Sequence, residues 1–179
     1  RIVLDAMGSD DCPEPEIQAL AEAARQWGGE YLIVGPEKEL KTRLQALAGG
    51  IPSGVRFVHA PERITMEDKG LALALKVKRK GAKTSMAVGM DLVKDGQADA
   101  FVTAGNTGGV LATAFFRLGT IPGVERPAVT GLFPTRGGYC AVLDIGANPE
   151  CQAENLLQFA IMGSISVQNI LQRERPRGG

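Results

Sequence analysis

The stretch Ala100-Phe101-Val102-Thr103-Ala104-Gly105-Asn106-Thr107-Gly108-Gly109-Val110-Leu111 decides how the chain is read. It opens on a short, wholly apolar segment, Ala100–Val102. It then turns through three glycines and continues into Val110–Leu118, read as a helix. A short apolar strand, a glycine-rich turn and a helix in succession form the repeating unit of a parallel sheet. Such a strand is covered on both faces and has no polar side to show.

The same unit recurs on either side. Ile2–Leu4 is short and breaks at Met7-Gly8-Ser9. Pro13 and Pro15 suit a helix start, and Ile17, Leu20, Ala21 and Ala24 follow at helical spacing until Gly28-Gly29. Tyr31–Val34 predicts a strand, Glu37–Ala48 a helix and Val55–Val58 a third strand. Lys69–Gly96 predicts two helices broken around Gly81. Downstream, Ala128–Leu132 and Cys140–Leu143 are expected as strands, and Glu150–Leu171 as a long helix kinked at Gly163. This rhythm predicts an α/β fold, a three-layer α/β/α sandwich with a mostly parallel sheet, formed as a single α/β domain over residues 1–179. There is no internal repeat, and the polar end from Arg173 onward resembles a linker.

Composition narrows the function. The chain has 179 residues, 44% apolar and 22% charged, which suits a globular domain with its own core. Lys+Arg and Asp+Glu are 20 each. A nucleic-acid binder ordinarily shows a basic excess, so no nucleic-acid partner is expected. Cys12, Cys140 and Cys151 are an odd count without CxxC spacing, and His59 is the single histidine. No metal site follows from that set, and reduced thiols without a disulfide are expected. The longest apolar stretch, Gly108–Phe116, closes at Arg117. That falls short of the roughly 20 residues that span a membrane. The chain starts on strand-like Ile2-Val3-Leu4, so no signal peptide is expected.

In open parallel sheets, ligands bind beyond the carboxyl ends of the strands. Four loops in that position are unusual. Asp5-Ala6-Met7-Gly8-Ser9-Asp10-Asp11 holds three acids; Asp10 and Asp11 are equally explained as charge before a helix N-terminus. Thr103-Ala104-Gly105-Asn106-Thr107-Gly108-Gly109 offers close backbone approach, two side-chain donors and free helix N–H groups, a ready anion site. It fits neither Walker A nor GxGxxG, and Asn106 or Thr107 can serve equally as a helix cap. Asp144-Ile145-Gly146-Ala147-Asn148-Pro149 is the third; Asn148 reads best as the cap of a helix begun by Pro149 and Glu150. The fourth is His59-Ala60-Pro61-Glu62. With no orienting carboxylate in sequence, His59 reads as a packed structural residue. Lys69 and the run Lys76, Lys78, Arg79, Lys80 and Lys83 form a basic stretch. Most of it is expected on solvated helix surface, with one or two cations free to complete an anion site or meet an acidic partner protein.

Five blocks then carry a resemblance: Leu4-Asp5-Ala6-Met7-Gly8, Val58-His59-Ala60, Ala100 to Gly108, Leu143-Asp144-Ile145-Gly146-Ala147-Asn148, and Leu157-Gln158-Phe159-Ala160-Ile161-Met162-Gly163-Ser164. In this order they resemble the phosphate acyltransferase family of bacterial phospholipid synthesis, the PlsX family, from Arg1 to about Arg177. The resemblance implies transfer of a fatty acyl group from acyl carrier protein to inorganic phosphate. It also implies an isocitrate dehydrogenase/phosphotransacetylase-like fold, a homodimer, a cytoplasmic location with a peripheral membrane contact, and no cofactor. The family chain is roughly twice this length, so an N-terminal portion is expected. A family histidine is missing where this chain reads Ser9-Asp10-Asp11-Cys12. Carried onto this sequence, the catalytic set is Asn106, Thr107, Lys69 and Asp144. The substrate-binding set is Asp5, Gly8, Asp10, Ser85, Gly105, Gly108 and Asn148. The competing expectations are a short-chain acyltransferase using acyl-CoA and a non-catalytic binding module with a vestigial site.

Overall fold

Four short strands, β1 (Ile2–Asp5), β2 (Tyr31–Gly35), β3 (Val55–His59) and β4 (Ala100–Val102), form one sheet in the order β3-β2-β1-β4. Every neighbouring pair is parallel. The computed structural model describes residues 1–79, 81–148 and 150–179; Lys80 of the basic run and Pro149 lie outside the described residues. Where one α/β domain over 1–179 was expected, the chain divides into two compact units, Arg1–Gly119 and Thr120–Gly179.

In the first unit the helices alternate with the strands as α1 (Glu14–Trp27), α2 (Glu37–Ala48), α3 (Gly70–Lys78), α4 (Ser85–Lys94) and α5 (Thr107–Arg117). Successive strand residues face opposite sides of the sheet, and both sides are covered. Tyr31 and Ile33 pack with Ile17 and Leu20 of α1 and Leu40 and Leu44 of α2. Val3, Leu32 and Val34 pack on the other side with Leu92 of α4. This double burial explains why the strands lack polar alternation, and it makes the expected three layers. Removing such a side chain from water is worth roughly 1.5–3 kcal/mol each. The break between α3 and α4 falls around Gly81, as read from the sequence.

α5 begins at Thr107, three residues earlier than expected, because the Asn106 side chain caps it by accepting from the Gly109 N–H. Gly108 and Gly109 therefore belong to the first helical turn rather than to the loop.

The second unit departs most from the reading. Its strands, β5 (Gly131–Thr135) and β6 (Gly138–Val142), form a two-stranded antiparallel hairpin rather than part of a parallel sheet. The reason is the tight link through Arg136-Gly137, with Gly138 at φ +127°, which reverses the chain. A parallel pairing needs a crossover of a dozen or more residues. α6 (Ala153–Ile170) starts three residues later than expected and runs unbroken through Gly163. Asn155 Oδ1 accepts from the Gln152 N–H at 3.0 Å, so Asn155 rather than Asn148 satisfies the start of that helix. No helix among the described residues is long and apolar enough to cross a membrane.

Candidate active site

Two loops leave the carboxyl edge of adjacent parallel strands, one after β1 and one after β4, and they are tied together through Asp5. This carboxylate is fully buried. It accepts from the Met7 N–H at 3.0 Å and from the Thr103 hydroxyl at 2.8 Å. Thr103 Oγ1 in turn accepts from the Gly105 N–H at 3.0 Å. Buried Ser85, at the start of α4, faces the same carboxylate without closing a hydrogen bond of ordinary geometry. The loops meet at backbone distance. A Cβ on Gly8 would lie 2.5 Å from Thr103 Oγ1 and 2.9 Å from the Gly105 nitrogen. A Cβ on Gly105 would lie 3.1 Å from Gly8 Cα. Both glycines serve this contact.

Burial pushes the Asp5 carboxyl above the usual carboxylate range, against the pull of the nearby Ser85 hydroxyl and of the Met7 and Thr103 donors. An acid with a raised folded pKa holds its proton more tightly folded than unfolded. Its contribution to stability is therefore highest below the unfolded value of about 3.9, falls as pH rises through the folded value, and is flat above it. Denaturant titrations of wild type and Asp5→Asn should show the wild type losing stability relative to the variant as pH rises from about 4. A difference moving the other way would contradict the burial argument.

Asn106 closes the other side of the site. Its Oδ1 caps α5 at 3.0 Å. Its Nδ2 donates to the Thr65 carbonyl at 2.9 Å and the Asp68 carbonyl at 3.0 Å. The side-chain amide is thus committed to holding the segment 65–68 against the helix start. That segment is braced again by Asp68, whose carboxylate accepts from the Thr65 N–H at 2.7 Å and from Lys76 Nζ at 2.6 Å. Desolvation raises the Asp68 pKa, but these donors together outweigh it and the carboxyl lies below its usual range.

The unused groups lie at the end of α5. The Gly109 N–H is capped and the Val110 N–H bonds the Asn106 carbonyl. Thr107 and Gly108 are exposed and head the helix, where N–H groups have no intrahelical acceptor. Two N–H groups and the Thr107 hydroxyl therefore stand at the positive end of the helix dipole, an arrangement suited to an oxyanion or a phosphate. Lys69 is exposed and directly follows Asp68 in the latched segment. Exposed Asp10 borders a small cleft with Gly8, Ser9, Arg63 and Thr65. Arg63 donates to the Cys12 sulfur at 2.8 Å, and the three cysteines are unpaired. His59 is exposed rather than packed; its Nδ1 accepts from the Glu37 N–H at 3.5 Å, at the head of α2. A larger open groove lies between α1 and α2, lined by Ala24, Leu47 and Ile51. The carboxyl ends of those helices place it at the opposite edge of the sheet from Asp5.

Asp144 and Asn148 belong to the second unit. Asp144 follows the hairpin, not a strand of the parallel sheet. Its carboxylate accepts from the Val129 N–H at 2.8 Å, the Asn148 N–H at 2.6 Å and Asn148 Nδ2 at 3.1 Å. Asn148 also donates to the Pro127 carbonyl at 2.9 Å. Partial desolvation opposes ionisation of Asp144, but the N–H donors win and hold it below the usual range. The pair ties the loop 144–148 to residues 127–129.

A family model described as "Fatty acid synthesis protein" matches residues 1–179. The chain belongs to that family. Phosphate acyltransferases of Koribacter versatilis, Acidobacterium capsulatum and Magnetococcus marinus are 46%, 43% and 42% identical to it, over 98%, 99% and 100% of this chain. The matches cover 48%, 52% and 50% of those proteins, so the chain spans about half the length of the curated relatives it matches. The resemblance carried by the five sequence blocks is thereby shown. In this member of the fatty acid synthesis protein family, Asp5, Gly8, Ser85, Gly105 and Asn106 are one connected assembly, with Thr107 and Gly108 at its open side. Thr103, Thr65 and Asp68 are part of it and were missed. A threonine after a strand is a visible signal; the bonds from Asn106 to segment 65–68 have none, because they join residues about forty positions apart.

Proposed function

We propose that the protein containing this chain transfers a fatty acyl group from acyl carrier protein to inorganic phosphate, giving acyl-phosphate for phospholipid synthesis. The observation that carries this reading is the open end of α5. The Thr107 hydroxyl and the Thr107 and Gly108 N–H groups meet no acceptor among the described residues, at a helix start capped and latched by Asn106 and next to the loop that the Asp5–Thr103 bond holds. Phosphate is itself the nucleophile. One of its oxygens adds to the thioester carbonyl carbon, the carbonyl oxygen becomes an oxyanion, and collapse breaks the carbon–sulfur bond. The sulfur leaves as thiolate and takes the proton given up by the attacking hydrogen phosphate to become the thiol. Holding two reactants in line can lower such a barrier by up to roughly 7–11 kcal/mol. An aimed donor at the oxyanion adds about 3 kcal/mol. Lys69 supplies charge to offset phosphate. Asp5 and Asn106 position the loops. A homodimer and a peripheral membrane contact belong to the same proposal; light scattering and vesicle flotation of the full-length protein test them.

The deciding experiment is phosphate-dependent loss of acyl thioester by the full-length protein, with acyl-phosphate trapped by hydroxylamine. Donors on acyl carrier protein and on coenzyme A are compared. No phosphate-dependent product with either donor rejects the reading in favour of a binding module. Within it, Thr107→Val keeps shape and backbone but removes the hydroxyl. The KM for phosphate should rise about tenfold with kcat preserved, as for a ground-state contact. An unchanged KM would take Thr107 out of the site.

A further inference from the structure

α3 carries an apolar stripe that its own unit leaves uncovered. Leu71 and Leu75, one turn apart, are 75% and 64% exposed. Lys78 continues that face and sets its Nζ 5.1 Å from the ring centre of exposed Phe116 on α5. The other face of α3 is spent on the core, where Val77 and Leu73 pack with Ile64 and Met86. The charge along the segment that carries the stripe has one sign. Residues 69 to 90 include Lys69, Lys76, Lys78, Arg79, Lys80 and Lys83 and no Asp or Glu. Arg79 pairs with Glu62 and Lys76 with Asp68. Among the described residues, Lys78 and Lys83 meet no carboxylate.

The stripe also leads to the site. Leu73, in the first turn of α3, comes within 3.7 Å of where a Cβ on Gly108 would stand. The start of α3 therefore borders the open end of α5, and a body lying along Leu71 and Leu75 ends beside Thr107 and Gly108.

We propose that the face formed by Leu71, Leu75, Lys78 and Phe116 docks a small acidic carrier domain, which presents its thioester arm to the Thr107–Gly108 end of α5. The inference rests on the acyl-transfer reading above. Unpaired cations around an apolar centre suit a transient encounter with an acidic surface: charge steers the approach and the apolar contact holds it. An anionic bilayer fits less well: with Lys76 and Arg79 already paired to carboxylates, at most four of the six cations of residues 69–83 are left, the low end of the about four to eight on which polybasic membrane contacts draw.

The test uses the full-length protein with Lys78→Glu and Leu75→Ser. The KM for acyl carrier protein thioester should rise about tenfold in Lys78→Glu at low salt, and its salt dependence should flatten. Leu75→Ser should raise the same KM without changing the salt dependence. The KM for phosphate and the rate with a carrier-free acyl-pantetheine thioester should stay at wild-type values in both. An unchanged carrier KM overturns the proposal. So does a parallel loss with acyl-pantetheine, which would mean damage to the site, or a loss confined to binding of phosphatidylglycerol vesicles, which would mean a membrane face. If the wild type transfers no acyl group to phosphate, the acyl-transfer reading fails separately. Fluorescence anisotropy of labelled acyl carrier protein then decides the docking face: equal affinity of wild type and Lys78→Glu overturns it, and a tenfold loss in the variant upholds it.

Discussion

Asn106→Leu is expected to lower stability by about 2 kcal/mol and to remove most phosphate-dependent activity, the two effects having one cause. Loss of the cap on the Gly109 N–H costs about 1 kcal/mol. The carbonyls of Thr65 and Asp68 lose their donor; unsatisfied carbonyls that are partly buried cost roughly 1–3 kcal/mol, less whatever water recovers. The segment 65–68 is then released from the start of α5, and Lys69 moves with it. Asn106→Asp separates the two functions of the amide. It keeps an acceptor for Gly109, favoured at a helix N-terminus, but it has no hydrogen to give the carbonyls. The Asp variant should therefore retain more stability than the Leu variant while showing a raised KM for phosphate. Denaturant midpoints and phosphate titrations of the full-length protein check both. If Asn106 instead donated directly to the transition-state oxyanion, kcat would fall about 100-fold or more with the phosphate KM unchanged. That split would remove Asn106 from its latching role.

Gly8→Ala should be more damaging than its single methyl suggests. The added Cβ meets Thr103 Oγ1 at 2.5 Å and two backbone nitrogens, of Gly105 and Ala104, at 2.9 and 3.2 Å. Backbone cannot step aside as the tip of a flexible side chain can. Overpacking of this kind costs about 1–3 kcal/mol. It also forces apart the loops that Asp5 and Thr103 join. Activity should fall at least tenfold, because misplacing a positioned group by about 1 Å can cost 100-fold. Gly119→Ala is the comparison, since its site is open space and the penalty there comes only from its positive φ. A Gly8→Ala enzyme with wild-type stability and rate would show that the two loops do not need their close approach.

Much of the first unit was legible because its signals are local. Apolar runs such as Tyr31–Val34 and Ala100–Val102 are too short for helices and too uniformly apolar for a half-solvated strand, so a parallel sheet follows. Glycines at 28, 29, 49 and 81 mark the ends of helices or the break between them. The hairpin escaped the same method. Apolar strands in β5 and β6 look like the earlier ones, and only the short Arg136-Gly137 link shows that they run antiparallel. Asp144 shows the same limit: an apolar strand precedes it, but that strand belongs to the hairpin and not to the parallel sheet.

Residue order alone was enough for the layered α/β character of the first unit, for the loops after β1 and β4 as the place to look, and for the family. Each of these depends on periodicity, glycine placement or contiguous motifs, which survive in one dimension. The tertiary structure decided what the side chains in those loops do. Asn106 is adjacent in sequence to the groups it leaves free, yet its amide is spent on carbonyls about forty residues away. Asp5 and Thr103 are 98 positions apart and share one proton donor contact. A hydrogen bond is satisfied at about 3 Å whatever the separation along the chain. Whether a polar side chain near a helix start is free for a ligand or already committed is therefore settled by which segments the fold brings beside it.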